Sequence, residues 1–312
     1  MLSILLGMAV IIALGVAWRL MLGSKAADAL RAHLAQAVYQ IFLPALVLHV
    51  LWRVPVDMNT LRIPLVSMLC VLLSLLAAFL LYGNGRIVRG FLAGVSAPRA
   101  IGALLLASGF GNFTYLGLPV ISQTFGEWSQ FVAIQFDLLA STPLLFTVGI
   151  MLARHYGTHA ERLHPLLALL RVPALWAALA GLFASAFALP MPAWLDEALD
   201  TLGSAVVPLM LLSIGMALRW QAGWAARIPV LFPALVIQLL LMPLIAWAAA
   251  IGAGMPERLL APVVIEGAMP SMVLGLVICD RFRLDSTLYA EAVTLSTAAS
   301  LVTLPLWLHA LG

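Results

Sequence analysis

The sequence predicts an all-α polytopic membrane protein of ten transmembrane helices, built as two inverted repeats of five. Three observations predict it. Apolar types fill 64% of the 312 positions and charged types only 9%, against about 25% charged in a soluble domain, so the chain could not cover its own surface in water. Apolar runs of about twenty residues, enough to cross roughly 30 Å of hydrocarbon as helices, recur along the whole length, while the alternation of a β-barrel is absent. The fourth and ninth runs alone are interrupted at their centres by dense glycine and proline.

The first run, 2–18, is followed by Arg19, Lys25 and Arg31. A secretory signal carries its charge before the run, so this order predicts a retained span with an external N-terminus. Runs at 33–52, 62–82, 100–122 and 129–152 complete a first repeat over 1–155. Runs at 166–189, 201–218, 228–250, 259–279 and 287–311 make the second, over 156–312. The linkers are about 5 to 20 residues long, which leaves no room for an attached soluble domain. With the N-terminus outside, the inner side holds Arg19, Lys25, Arg31, Arg86, Arg89, Arg99, Arg154, Arg162, Arg171, Arg219, Arg227, Arg281 and Arg283, and the outer side only Arg53, Arg62 and Arg258. This bias places both termini outside the cytoplasm. It also accounts for the net charge of +3. The basic residues are scattered without a cluster, so nucleic acid is not an expected partner. Cys70 and Cys279 lie within or at the end of spans and form neither a disulfide framework nor a zinc pattern.

The fourth run, LLLASGFGNFTYLGLPVISQTFG, carries Gly109, Gly111, Asn112, Gly117 and Pro119 near its centre; the ninth, LLAPVVIEGAMPSMVLGLVIC, carries Pro262, Gly267 and Pro270. Proline lacks the N–H and clashes with the preceding turn, so neither run can stay a regular helix. An odd number of spans per half forces the halves to be inverted. Aligning Asn112 with Pro270 sets Gly117 on Gly275 and brings Ser141-Thr142 close to Ser296-Thr297. Matched interruptions in two halves point to the binding site of a secondary transporter. Backbone groups freed at mid-membrane must face protein, water or ligand. The half-helices after Pro119 and Pro270 would converge with their positive ends, an anion site built without Lys or Arg. Asn112, Thr114, Tyr115 and Ser271 can add neutral hydrogen bonds, which favours a carboxylate.

The segment from Gly111 through Asn112, Thr114, Tyr115 and Gly117 to Pro119 resembles the fourth-span motif of the auxin efflux carrier family, which includes PIN-type exporters and bacterial malonate and malate permeases. The region from Glu266 and Pro270 through Ser296-Thr297 is similar to that family as well. The resemblance implies a bile-acid symporter-like fold with crossing broken helices, a scaffold of spans 1, 2, 6 and 7, a mobile core of spans 3–5 and 8–10, and a homodimer. It also implies transport of organic anions, dicarboxylates or auxin-like acids, by an elevator motion in the cytoplasmic membrane. The long cytoplasmic loop of plant members is missing here, and the compact chain points to the permeases.

Asp137 and Glu266 each lie seven or eight residues inside a span, about 12 Å deep at 1.5 Å per residue. Ionisable groups at that depth usually face a cavity, which makes both candidates for ion coupling, to H+ or Na+. Glu291 reads as an interface residue, Gln238 as a helix–helix hydrogen bond, and Ser296, Ser300 and Thr303 as small-residue packing. His49 and His309 are isolated, and no metal or other cofactor is expected. An intramembrane enzyme would need a histidine base beside Ser108, and no span offers one, so no enzyme is expected. A passive anion channel or uniporter is the alternative class.

Overall fold

The computed structural model describes residues 2–91, 97–158, 165–217 and 224–311. Arg162 and Arg219, assigned above to inner loops, lie outside the described residues, as does Gly312. Among the described residues the chain is helical, and the β structure is an isolated antiparallel bridge between Gly111 and Ser271.

Among the described residues six helices are long and apolar enough to cross a membrane: α2 (Ser24–Arg53), α3 (Asn59–Tyr82), α6 (Glu127–Tyr156), α8 (Ala193–Ala217), α9 (Trp224–Gly252) and α12 (Ser286–Ala310). Two further apolar helices are α1 (Leu2–Leu22) and α7 (Pro173–Ala186). The fourth run is divided into α4 (Ala97–Gly109) and α5 (Leu118–Phe125), and the ninth into α10 (Glu257–Gly267) and α11 (Gly275–Phe282).

Three boundaries depart from hydropathy. α2 starts at Ser24 rather than 33, because its first turns contain no breaker after Gly23, whose φ of 78° separates it from α1. α8 starts at Ala193 rather than 201. Its first turns carry Asp196, Glu197 and Asp200, which end the apolar run in sequence, yet they bury Leu199 and Gly203 and set Asp196 against His49 of α2. The sixth run is not one helix. A short helix, Pro165–Leu170, turns at Arg171–Val172 into α7, with Pro173 in the first helical turn.

α1 packs on the second half of α8, and the second half of α2, Leu43–Arg53, packs on α7 and on the first half of α8. Where α1 meets α8 the backbones nearly touch: a Cβ on Gly15 would lie 3.0 Å from the Cα of Gly215. α3 packs on α4, α6 and α9, and α12 packs on α4. The core is divided at the level of the breaks. One apolar cluster joins Val71, Leu104 and Phe110 with Ile150, Val230, Phe282 and Tyr289; the other joins Phe113 with Phe136, Met242, Val263 and residues of α2 and α8. Polar bonds tie the first cluster's rim together. The Tyr82 hydroxyl donates to the Val230 carbonyl at 2.7 Å, Arg99 donates to the carbonyls of Arg283 and Leu284, and Thr158 N–H reaches Phe282 O at 3.2 Å.

Candidate functional site

The two interrupted runs meet where each has lost its helix. Asn112 N–H donates to Pro270 O at 2.7 Å and Met272 N–H donates to Phe110 O at 3.0 Å, the two bonds that make the Gly111–Ser271 bridge. Backbone groups that the breaks free are thus paired with one another. Side chains take up others. Gln238 Nε2 donates to Met269 O at 2.8 Å, the Ser271 hydroxyl to Ala107 O at 2.7 Å, and Tyr289 to Met272 O at 2.7 Å. Ser271 N–H donates to Ser296 Oγ at 3.1 Å. Glycine is required at the bridge, since a Cβ on Gly111 would lie 2.5 Å from the Phe113 ring and 2.9 Å from Gln238 Nε2.

Beside the bridge lies a cleft with about 40 Å³ of free volume, lined by Tyr39 and Leu43 of α2, Gly111 to Tyr115, Asp137, Leu138, Thr142 and Phe146 of α6, Val172 and Ala174, and Met272 and Leu274. That volume holds about three water molecules. No Lys, Arg or His lines it. Both half-helix beginnings, at Asn112–Tyr115 and Met272–Leu274, border it.

Wide π-helical turns deliver most of the polar lining. Five occur among the described residues: Val38–Phe42, Phe113–Gly117, Asp137–Ser141, Leu145–Gly149 and Ile237–Leu241. The first four contribute Tyr39, Thr114 and Tyr115, Asp137, and Phe146 to the cleft. The fifth carries Gln238, which holds the Met269 carbonyl. The cause is in the sequence. Pro44, Pro119, Pro143 and Pro243 each stand two positions after a π turn. A proline cannot bond the carbonyl four residues back and collides with it; the wider turn moves that carbonyl aside. The carbonyl of Leu239, four before Pro243, accepts instead from Trp307 Nε1 at 2.9 Å.

Asp137 is 7% exposed. The Thr142 hydroxyl donates to its Oδ1 at 2.9 Å and the Thr114 hydroxyl donates to its Oδ2. Glu266 is fully buried, and neither of its carboxyl oxygens has a hydrogen-bond partner among the described residues. It packs against Gly117, where a Cβ would lie 2.7 Å from its Cδ. Gln135, also fully buried, leaves both amide atoms without a partner.

The family model described as membrane transport protein matches residues 6–308, nearly the whole chain. The chain belongs to this family of auxin efflux carrier and PIN-like membrane transport proteins. It is 29% identical over 278 residues to an uncharacterized transporter of Methanothermobacter thermautotrophicus, covering 88% of this chain and 87% of that one. It is 27% identical over 258 residues to an uncharacterized transporter of Methanocaldococcus jannaschii, covering 79% and 78%. With the apolar helices, these likenesses make it a multi-pass membrane protein of transporter type.

In this membrane transport protein the residues singled out from sequence fall into two groups. Asn112, Thr114, Tyr115 and Asp137 line the cleft, whereas Gly117, Pro119, Glu266, Pro270 and Ser271 do not. Ser271 spends its hydroxyl on Ala107 and Pro270 its carbonyl on Asn112. The half-helices do not begin after Pro119 and Pro270. The first turn begins at Phe113, seven residues ahead of the end expected after Pro119, with Pro119 itself in the first turn of α5; the second helix begins at Gly275, beyond Pro270. The bond across the bridge uses the Asn112 backbone, and no hydrogen bond to its side-chain amide is found among the described residues. Ser296 serves the bridge rather than general packing. Glu291 is 3% exposed and paired with Arg227 at 2.9 Å, and His49 lies 3.0 Å from Asp196. Sequence reasoning missed Tyr39, Thr142 and Gln135. The signal for the first two was the mid-run prolines Pro44 and Pro143, each marking a π turn nearby.

Proposed function

We propose that this chain is a secondary transporter that moves a small organic anion, a carboxylate, across the cytoplasmic membrane. In this reading its ten helices form two inverted repeats of five, 1–155 and 156–312. A scaffold of spans 1, 2, 6 and 7 carries a core of spans 3–5 and 8–10 that slides as an elevator, and two chains pair through their scaffolds. The observation that carries the reading is the antiparallel bridge between Asn112 and Pro270 levels, with two half-helix beginnings bordering one cleft. Helix beginnings favour negative charge. Asn112 and Tyr115 add donors at the same place, and Asp137 and Glu266 are the ionisable groups available for coupling to H+ or Na+.

Packing supports the division of labour. α2 packs on α1, α7 and α8, and α1 packs on α8, whereas the bonds of Tyr82, Arg99 and Thr158 all join members of the other group. One residue of each matched pair, Thr142 of Ser141-Thr142 and Ser296 of Ser296-Thr297, supports a break or its neighbour, Thr142 through Asp137 and Ser296 through Ser271.

The test is counterflow. Purified protein in liposomes preloaded with unlabelled malonate, malate or indole-3-acetate should accumulate the labelled acid transiently against its gradient. A passive pore gives flux down the gradient without that overshoot, and its appearance would replace the carrier by a channel.

A further inference from the structure

A site for a carboxylate that contains a carboxylate and no cation needs its charges resolved. Asp137 is arranged as an acceptor: each of its oxygens already receives one threonine hydroxyl, from Thr114 and from Thr142. Each carboxylate oxygen retains a further lone pair, and the group lines the cleft. The remaining polar lining, the Asn112 amide and the Tyr39 and Tyr115 hydroxyls, can donate. The titratable groups around Asp137 are those two tyrosines and, behind Gly117, Glu266, which does not line the cleft; α7 brings only Val172 and Ala174. Two ionised carboxylates in contact repel strongly enough that one of them takes up a proton.

We infer that the cleft binds its substrate in the acid form, with one proton shared between the substrate carboxyl and Asp137. The ligand's O–H donates to a free lone pair of Asp137, and its C=O accepts from the Asn112 amide or a tyrosine hydroxyl. A neutral carboxyl group, one donor and one acceptor on three heavy atoms, matches both this polarity and a free volume of about 40 Å³. The proton enters with the acid and leaves with it, and no bond other than O–H is made or broken. Each bound carboxyl therefore carries one proton across. This rests on the carrier reading above and adds the protonation state of the cargo.

The experiment uses the full chain in sodium-free liposomes with malonate, malate and indole-3-acetate as probes, protein-free liposomes serving as the blank. Two quantities are read: proton movement, from a trapped pH dye during net uptake into probe-free liposomes, and probe affinity between pH 5 and pH 8. Wild type should move one proton per probe carboxyl engaged, and its affinity should fall about tenfold per pH unit as pH rises. Asp137→Asn should flatten the dependence that Asp137 imposes and lose the coupled proton, while Asp137→Glu should keep both with changed affinity. If Asp137→Asn does not fold, the wild-type slope and the Asp137→Glu variant decide.

Net uptake without proton movement overturns the inference and leaves the carrier standing. So does an unchanged slope in Asp137→Asn, a strict sodium requirement in wild type, or preferential binding of β-alanine, whose ammonium would pair with an ionised Asp137. No counterflow of any probe removes the carrier reading itself, and this one with it.

Discussion

Gly117→Ala tests the contact that joins the two interrupted runs. The added Cβ would lie 2.6 Å from Glu266 Oε1 and 2.7 Å from its Cδ. Ordinary carbon contacts begin near 3.5 Å, so one partner must retreat by about 1 Å. Glu266 has no exposed side to swing into. The α10 backbone cannot back away either, since a Cβ at the neighbouring Gly267 would already stand 2.9 Å from Ala246 Cβ. Overpacking of a tight interior costs about 1–3 kcal/mol, and that loss is the expected result. It should be read by equilibrium unfolding in mild detergent for wild type, Gly117→Ala, Glu266→Ala and the double variant. Removing the Glu266 carboxyl vacates the space, so the double variant should recover part of the glycine's loss. If the two single effects add within about 0.3–0.5 kcal/mol, the residues do not touch and the packing of α10 against the Phe113–Gly117 turn is wrong.

Asn112→Ala should weaken carboxylate binding roughly ten- to hundredfold, the loss of a hydrogen bond worth about 1.5–3 kcal/mol to a charged or charge-sharing ligand, with insertion and folding intact; titration of the purified protein checks it, and Asn112→Asp should be worse. Glu266→Gln keeps the shape against Gly117 while removing the charge, and should alter the dependence of counterflow on H+ or Na+ without abolishing probe binding; identical ion dependence would remove Glu266 from coupling. Tyr82→Phe deletes the bond to the Val230 carbonyl and should lower stability by about 1–3 kcal/mol because a buried acceptor is left alone, measured by the same unfolding titration. A reporter active only in the cytoplasm should be silent when fused after Gly312 and active in the 153–165 loop; the opposite result would overturn the ten-span arrangement.

Hydropathy located every long helix, because burial in hydrocarbon leaves a composition signal that local detail cannot erase. It misplaced the beginnings of α2 and α8, where Asp28 and Asp196 interrupt the apolar run without interrupting the helix. The breaks were legible as Gly and Pro, but their position was not. Proline does not mark the broken turn itself: Pro119 sits in the first turn of the helix that resumes. Asn112, Thr114, Tyr115 and Asp137 were found from chemistry at depth. Tyr39 and Thr142 were not, since Pro44 and Pro143 flag the π turns nearby but not which hydroxyl faces the cleft. His49 looked isolated for the same reason: Asp196 stands 147 residues away in the chain and 3.0 Å away in space.

The π turns bear on how chains of this type should be compared. Each accommodates one residue more than an α-helical turn, so everything beyond it is rotated by about 100° relative to a regular helix. A related chain with one residue fewer between Asp137 and Ser141 would lose no helix and no apolar character, yet it would point the rest of that span elsewhere. Single-residue gaps are customarily pushed into loops, where insertions are tolerated. In these spans the interior is where such a gap would belong, at Val38–Phe42, Phe113–Gly117, Asp137–Ser141, Leu145–Gly149 and Ile237–Leu241. An alignment that forbids it would pair Thr142 with a residue about 100° further round the helix.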